Sequence, residues 1–131
     1  MHPSLRAIIL PVADIQRSTS FYESLGFQKS RGGAQLTLFE LGSNTLGLVP
    51  RNVIEEDLGN ASAGEPGGCL LFHSVRTRVE VDQVLLEAKE AGATVASEAS
   101  DNDWGGYNGV FSDPDGHRWS VGWNPEFYRK D

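Results

Sequence analysis

The residues with the most chemistry in a short span surround a tight turn near the end of the chain, in the stretch FSDPDGHRWSVGWNP at residues 111–125. Its DPDG segment, residues 113–116, predicts a turn, because proline presets φ at one position and glycine accepts a positive φ at another. The flanking apolar residues predict a hairpin whose returning strand runs from Arg118 to Trp123. A carboxylate or imidazole on that strand could bind a metal ion, whereas a serine hydroxyl is a poor ligand.

Other reactive side chains do not form a familiar catalytic arrangement. The three histidines are spread along the chain, at His2, His73 and His117. No serine lies in a G-x-S-x-G sequence, and the glycine pairs at 32–33 and 105–106 lack the surroundings of a P-loop or dinucleotide motif. The sequence therefore does not support nucleophilic catalysis or nucleotide binding.

The first half of the chain predicts a strand, a helix and three more strands. Leu5 to Val12 is an apolar run, and Asp14 is placed to cap a helix from about Ile15 to Leu25. Glycine-containing turns at residues 32–33 and 42–43 then separate three predicted strands, at about Phe27–Ser30, Ala34–Leu41 and Asn44–Val49.

The second half repeats this order. Cys69 to Val75 is again apolar, and Thr77 and Glu80 have the spacing of a capping box at a helix start. That helix is predicted to end at Gly92. Strands follow at about Thr94–Ser97, Tyr107–Phe111 and Arg118–Trp123. We therefore predict module one at about 4–50, a linker at about 51–67 with a short helix in VIEEDLG, and module two at about 68–125.

Composition limits the class of protein. A length of 131 residues with 39% hydrophobic residues suits one domain, residues 1–131, with its own core. The net charge of -7 repels phosphate backbones, so nucleic acid is not an expected partner. No window resembles a membrane span or a signal peptide, so we expect no membrane partner and a cytoplasmic location. The single cysteine cannot form an internal disulfide.

Two segments resemble the vicinal-oxygen-chelate superfamily, which includes glyoxalase I, extradiol dioxygenases, fosfomycin-resistance enzymes and bleomycin-resistance binding proteins. They are LPVADIQRSTSFYESLGF, residues 10–27, and WGGYNGVFSDPDGHRWSVGWNP, residues 104–125. The resemblance covers nearly the whole chain. It implies an α+β fold of two βαβββ modules, whose curved mixed sheets surround a cup with the helices on the outer face, and it implies a homodimer. Fold similarity permits the family's chemistry without implying it.

In metal-dependent members the resemblance implies ligands on the first and last strands of each module, normally His, Gln or Glu. The corresponding positions here are Ala7, Gly47, Leu70 and Ser120. This set offers one neutral hydroxyl, whereas a transition metal needs three or four N, O or S donors. We therefore expect no metal and no other cofactor.

Three further side chains are alternative ligands if this alignment is displaced. Strand alternation places His73 on the face opposite Leu70, against the helices. His117 follows the turn glycine, where a hydrogen bond or water satisfies it. Glu40 could reach the cup from the third strand, although a solvated carboxylate is the more common role.

The interpretation we favour is a small-molecule-binding protein of the bleomycin-resistance type, whose aromatic-lined cup takes a planar neutral or cationic ligand. Trp104 and Tyr107 flank a glycine pair and are expected at the cup mouth. The predicted ligand-binding residues are Ile9, Phe39, Phe72, Trp104, Tyr107 and Ser120. One alternative is a lyase, isomerase or dioxygenase with a metal held by His73, Glu40 or His117. A second is a regulatory module whose cup is filled by its own side chains.

Overall fold

The computed structural model describes residues 1–59 and 62–125, and the chain divides into two compact units at residues 65 and 66. Residues 60 and 61 of the predicted linker and residues 126–131 of the predicted domain lie outside the described residues. Each unit contains one four-stranded mixed sheet that does not close on itself, with strand orders β1-β4-β3-β2 and β5-β8-β7-β6. The twofold β-α-β-β-β order and the α+β class predicted from the sequence are confirmed.

The first unit contains β1 Ala7–Val12, α1 Ile15–Ser24, β2 Lys29–Arg31, β3 Thr37–Leu41, β4 Asn44–Pro50 and α2 Arg51–Asp57. Strand β1 runs parallel to β4, and β3 is antiparallel to both β4 and β2. The predicted short helix in the linker is α2, which begins directly after β4.

Helix α1 starts where the sequence places its cap. The Asp14 carboxylate accepts a hydrogen bond from the Arg17 backbone N–H at 3.1 Å, which satisfies one of the unpaired donors of the first turn. The inner side of the helix buries Phe21 and Tyr22. The Tyr22 ring lies 5.4 Å from that of Phe27, centroid to centroid, so an aromatic cluster joins the helix to its sheet.

The second unit contains β5 Leu70–Ser74, α3 Arg78–Ala91, β6 Thr94–Asp101, β7 Tyr107–Ser112 and β8 Arg118–Trp123. Strand β5 is parallel to β8, and β7 is antiparallel to β8 and β6. Strand β6 is longer than predicted, because two register irregularities, between Val95 and Ser97 and between Ser97 and Ser100, let this polar segment stay paired with β7.

Helix α3 has the predicted start and end. The Thr77 hydroxyl accepts a hydrogen bond from the Glu80 backbone N–H at 3.1 Å, and Gly92 ends the helix with φ of 115°. Val81, Leu85 and Ala88 form its buried side, which packs against β6, β7 and β8. None of the helices in the described part of the chain is both long and apolar enough to cross a membrane.

The predicted turn between β7 and β8 is held by one buried carboxylate. Asp113 Oδ1 accepts hydrogen bonds from the backbone N–H groups of Asp115 and His117, both at 2.9 Å. Gly116 has φ of 94°, a conformation that other residues rarely adopt. The turn therefore sets the pairing of β7 with β8, which carry the polar groups described below.

Candidate ligand-binding surface

The second sheet has one face against α3 and one facing the other way, which we call the open face. Side chains alternate along a strand, so the pairings Leu70 with Arg118, Phe72 with Ser120 and Asn108 with Gly122 assign these residues to a common face. Their neighbours Leu71, Trp119 and Val121 are buried on the α3 side. The open face consists of Leu70, Phe72, Ser74, Asn108, Val110, Ser112, Arg118, Ser120 and Gly122.

Apolar side chains on the open face are exposed. Phe72 is 49% exposed and Leu70 is 58% exposed. A Cβ added to Gly122 would lie 3.0 Å from two ring carbons of Phe72. The glycine therefore lets the ring lie close to the backbone of β8, which makes a flat apolar platform.

A chain of side-chain hydrogen bonds borders this platform. The Asn102 amide nitrogen donates to Asn108 Oδ1 at 2.9 Å, and the Asn108 amide nitrogen donates to Ser120 Oγ at 3.1 Å. Ser120 is 2% exposed. Asn102 Oδ1 accepts from the backbone N–H groups of Trp104 and Gly106 at 2.9 and 3.0 Å, so the chain of bonds also fixes the β6–β7 turn.

The two asparagines of this hydrogen-bond chain, Asn102 and Asn108, were not identified from the sequence. Alternation from the buried Phe111 would have assigned Asn108 to the same face as Ser120, since β7 pairs regularly with β8. Asn102 had no such signal, because its role depends on a turn conformation that the sequence DNDWGGYN does not specify.

The first sheet has a corresponding face opposite α1. Ile9 and Leu38 both pair with Gly47, and a Cβ on this glycine would lie 2.6 Å from Ile9 Cδ1. Ile9 is therefore on the face where it was predicted. Glu40 lies on the same face, opposite Thr45, and its carboxylate accepts a hydrogen bond from the Ser30 hydroxyl at 3.4 Å.

Phe39 does not lie on the same face as Ile9, although both were predicted from the sequence to lie at the ligand-binding surface. Phe39 pairs with Leu46 on the α1 side of the sheet and is fully buried. Its ring centroid lies 6.0 Å from that of Tyr22 and 5.8 Å from that of Phe27. Phe39 therefore packs in the core against Tyr22 of α1 and Phe27 of the following loop.

Tyr107, another residue predicted to bind the ligand, lies on the α3 side of its sheet. Its hydroxyl donates a hydrogen bond to Asp82 of α3 at 2.8 Å, and this bond is the main reason that the pKa of Tyr107 is raised. The Arg78 guanidinium lies over its ring, 4.8 Å from the centroid, and also forms an ion pair with Asp101. Tyr107 therefore anchors β7 to α3 and does not line the open face.

Trp104 lies at the β6–β7 turn and is 81% exposed. Its backbone N–H is held by Asn102, while Gly105 turns the chain with φ of 82°. The side chain therefore projects from a turn that is linked through Asn108 to Ser120. Whether the indole contacts a ligand stays a prediction.

The chain is similar to proteins of one large family. Residues 4–121 match the model of the Glyoxalase/Bleomycin resistance protein/Dioxygenase superfamily. The chain belongs to this superfamily. Among solved structures, a glyoxalase-related enzyme from Fulvimarina pelagi is 28% identical, with a TM-score of 0.89 over 93% of this chain and 88% of that one. A hypothetical protein from S. aureus is 30% identical, with a TM-score of 0.83 over 95% of both chains.

A shorter match connects the chain to a curated protein. An uncharacterized protein from Mycobacterium bovis is 46% identical over 46 residues. This match spans 35% of the present chain and 30% of the relative's length. It adds no activity to the superfamily assignment.

The four positions that the family resemblance assigns to metal ligands carry few donor atoms. Ala7, Gly47 and Leu70 have no donor atom, and the Ser120 hydroxyl oxygen already accepts a hydrogen bond from Asn108. Among residues 1–59 and 62–125, no group of three or more His, Cys, Asp or Glu side chains could hold a metal ion. These residues do not fit the metal site of the glyoxalase type.

The two histidines that are alternative metal ligands lie on different elements of the second unit. His73 pairs with Val121 on the α3 side, where partial desolvation of its ring lowers the pKa and the charge of Glu80 opposes this effect. His117 is buried in the Asp113 turn, to which its backbone N–H donates. Neither histidine is on the open face of the second sheet.

We expect protein purified without chelators to contain well under one equivalent of Zn, Ni, Fe or Mn. A site without three donors gains no stabilisation from binding, so EDTA should leave the melting temperature unchanged. Elemental analysis and thermal unfolding with and without EDTA measure this. A stoichiometric metal that is lost on substituting His73 or Glu40 would show that the metal-dependent alternative is correct.

Proposed function

We propose that this superfamily member binds a small planar organic molecule on the open face of the second sheet, without a metal. The observation that carries the proposal is the half-exposed Phe72 ring, which lies over Gly122 beside the Asn108–Ser120 hydrogen bond. An exposed aromatic surface next to a fixed polar group is the usual composition of a small-molecule site. Stacking of a planar ligand on one ring contributes about 0.5–1.5 kcal/mol beyond area burial.

The aromatic lining is smaller than the sequence indicated. With Phe39 and Tyr107 on the helix sides of their sheets, Phe72 is the aromatic residue of the second sheet that supports the proposal, with Trp104 at the adjacent turn. Bleomycin-like glycopeptides and other planar compounds therefore remain suitable members of a screen, but specificity depends on the polar groups around Phe72.

A homodimer is also part of this proposal. Each sheet ends in edge strands, β1 and β2 in the first sheet and β5 and β6 in the second. Edge strands present unpaired backbone groups that a second copy of the chain could cover, and most homo-oligomers are twofold dimers.

The test of the proposed function is a binding screen against protein that has been treated with EDTA. We expect planar hits whose affinity falls about tenfold or more in Phe72→Ala, because the stacking surface and its buried area are lost. Calorimetry or tryptophan fluorescence measures the affinity. Val79→Ala is the matched control, since Val79 is an exposed apolar residue on α3 and its truncation should leave binding unchanged.

The same screen tests Trp104. If the turn closes on the ligand, Trp104→Ala weakens the hits as well. Hits that are unaffected by Phe72→Ala would show that the open face of the second sheet is not the binding surface.

A further inference from the structure

We infer that the polar group recognised on the open face is a hydrogen-bond acceptor, and that an anionic acceptor such as a carboxylate is preferred. The inference rests on the proposed function and specifies its ligand class. It reverses the expectation of a neutral or cationic ligand that follows from the net charge of the whole chain. Three properties of the site support it: the direction of its hydrogen bonds, the position of Asn108, and the sign of the charge that shares the open face.

The direction of the hydrogen-bond chain is fixed by the backbone. An amide side chain has an oxygen that only accepts and a nitrogen that only donates. Because Asn102 Oδ1 accepts from two backbone N–H groups, its nitrogen must be the group that faces Asn108. Asn108 then receives this bond on Oδ1, so its own nitrogen is the group that donates to Ser120.

This arrangement leaves Asn108 as a donor. Its oxygen and one of its two amide hydrogens are engaged within the protein, and the described residues give the second hydrogen no acceptor. Asn108 is half-buried, and its Cβ lies near the same glycine as the Phe72 ring, since a Cβ added to Gly122 would be 3.1 Å from it. A ligand stacked on Phe72 would therefore meet an N–H group at its edge.

The charge that the strand pairings place on this face is positive. Arg118 is the one charged residue that the strand pairings assign to the open face of the described sheet. It is exposed, and it is two residues from Ser120 on β8, which corresponds to about 7 Å along a strand. At physiological salt, charges beyond about 8 Å are largely screened, so a charge on the same face, such as Arg118, counts for more than distant members of the net charge of -7.

Asn108 is therefore the contacting donor, and Asn102 and Ser120 are positioning residues that hold its amide in one orientation.

The experiment uses three probes with one ring system: 2-naphthoate, 2-naphthamide and 2-naphthamidine, which are anionic, neutral and cationic at pH 7. Their dissociation constants are measured by calorimetry at pH 7 with the full chain after EDTA treatment. We expect the carboxylate to bind about tenfold or more tightly than the amidine, with the neutral amide between them, which is the size expected for a hydrogen bond to a charged group.

The decisive variant is Asn108→Asp. The two substituents have nearly the same shape, and the new carboxylate can still accept from Asn102 while Ser120 turns its hydroxyl to donate, so the fold is retained. The outward donor is replaced by a negative acceptor, and the order of the probes should invert. Asn52→Asp, on the exposed side of α2, adds the same charge outside the second sheet and should keep the wild-type order.

The outcomes separate the inference from the proposed function. If the amidine binds best to the wild-type protein, or if Asn108→Asp leaves the order unchanged while Phe72→Ala weakens every probe, the donor assignment is wrong and binding at the open face stands. Stacking and one charged hydrogen bond should give a dissociation constant on the order of 1 mM or lower. If no probe binds this tightly, both the donor assignment and the proposed function are wrong.

Discussion

Replacing Gly109 by valine is expected to lower the free energy of unfolding by about 3 kcal/mol, near the upper end of overpacking costs. Gly109 lies on the side of β7 that faces α3, next to Leu85. A Cβ at this position would be 2.6 Å from Leu85 Cδ1 and 3.0 Å from backbone atoms of Ser97 and Ala99. The leucine methyl could move, but the backbone of β6 could not without breaking its pairing with β7.

Thermal and urea unfolding measure this effect. A loss of about 3 kcal/mol corresponds to a fall in melting temperature of about 10 °C for a domain of this size. Gly68→Ala is the matched control, because a Cβ at Gly68 would meet no atom within 4 Å. Equal stabilities of the two variants would contradict the close approach of α3, β6 and β7.

Removal of the Asp113 carboxylate should have an effect of similar size. Asp113→Ala leaves the backbone N–H groups of Asp115 and His117 without their acceptor, and an unsatisfied buried donor costs about 1–3 kcal/mol. We expect a loss of about 3 kcal/mol, together with weaker binding of any ligand that depends on Asn108 and Ser120. These two residues lie on the strands that the turn joins.

The control for the turn is Asp113→Asn, which keeps an oxygen acceptor in nearly the same place. It should cost less than half as much as the alanine variant in chemical denaturation. Equal losses in the two variants would indicate that the charge of Asp113, and not its acceptor geometry, stabilises the turn.

The elements could be predicted because their signals are local. Asp14 and Thr77 cap helices in the structure as their spacing indicates, and Gly92 ends α3 with a positive φ. The apolar runs of β1 and β5 and the turn at residues 113–116 likewise need only a few neighbouring residues to be recognised. Helix ends and the order of helices and strands along the chain therefore followed from the sequence.

The candidate site was only partly predictable, because it depends on which strand pairs with which and in what register. The placement of Ser120 opposite the α3 side followed from alternation along β8, where buried Trp119 and Val121 flank it. Phe39 was assigned from the sequence to the opposite face. Leu38, and not Phe39, shares a face with Gly47, because the turn between β3 and β4 sets the register of these strands.

Tyr107 and the asparagine chain show the same limit. An aromatic residue beside two glycines is compatible with a ligand-binding loop and with a strand anchored to a helix, and only the hydrogen bond to Asp82 decides between them. The link from Asn102 through Asn108 to Ser120 joins a turn and two strands. No local sequence pattern indicates side-chain hydrogen bonds between such separate elements.

The central claim is that a small molecule binds at Asn108 and Phe72 without a metal. It is tested most directly by following the side-chain amide signals of asparagine in a nitrogen–proton correlation spectrum of EDTA-treated protein during titration with 2-naphthoate. We expect the Asn108 amide signals, assigned by their loss in Asn108→Asp, to shift saturably together with backbone signals of β5 and β8. No saturable shift of these signals, or a shift that appears only after a divalent metal is added, would contradict it.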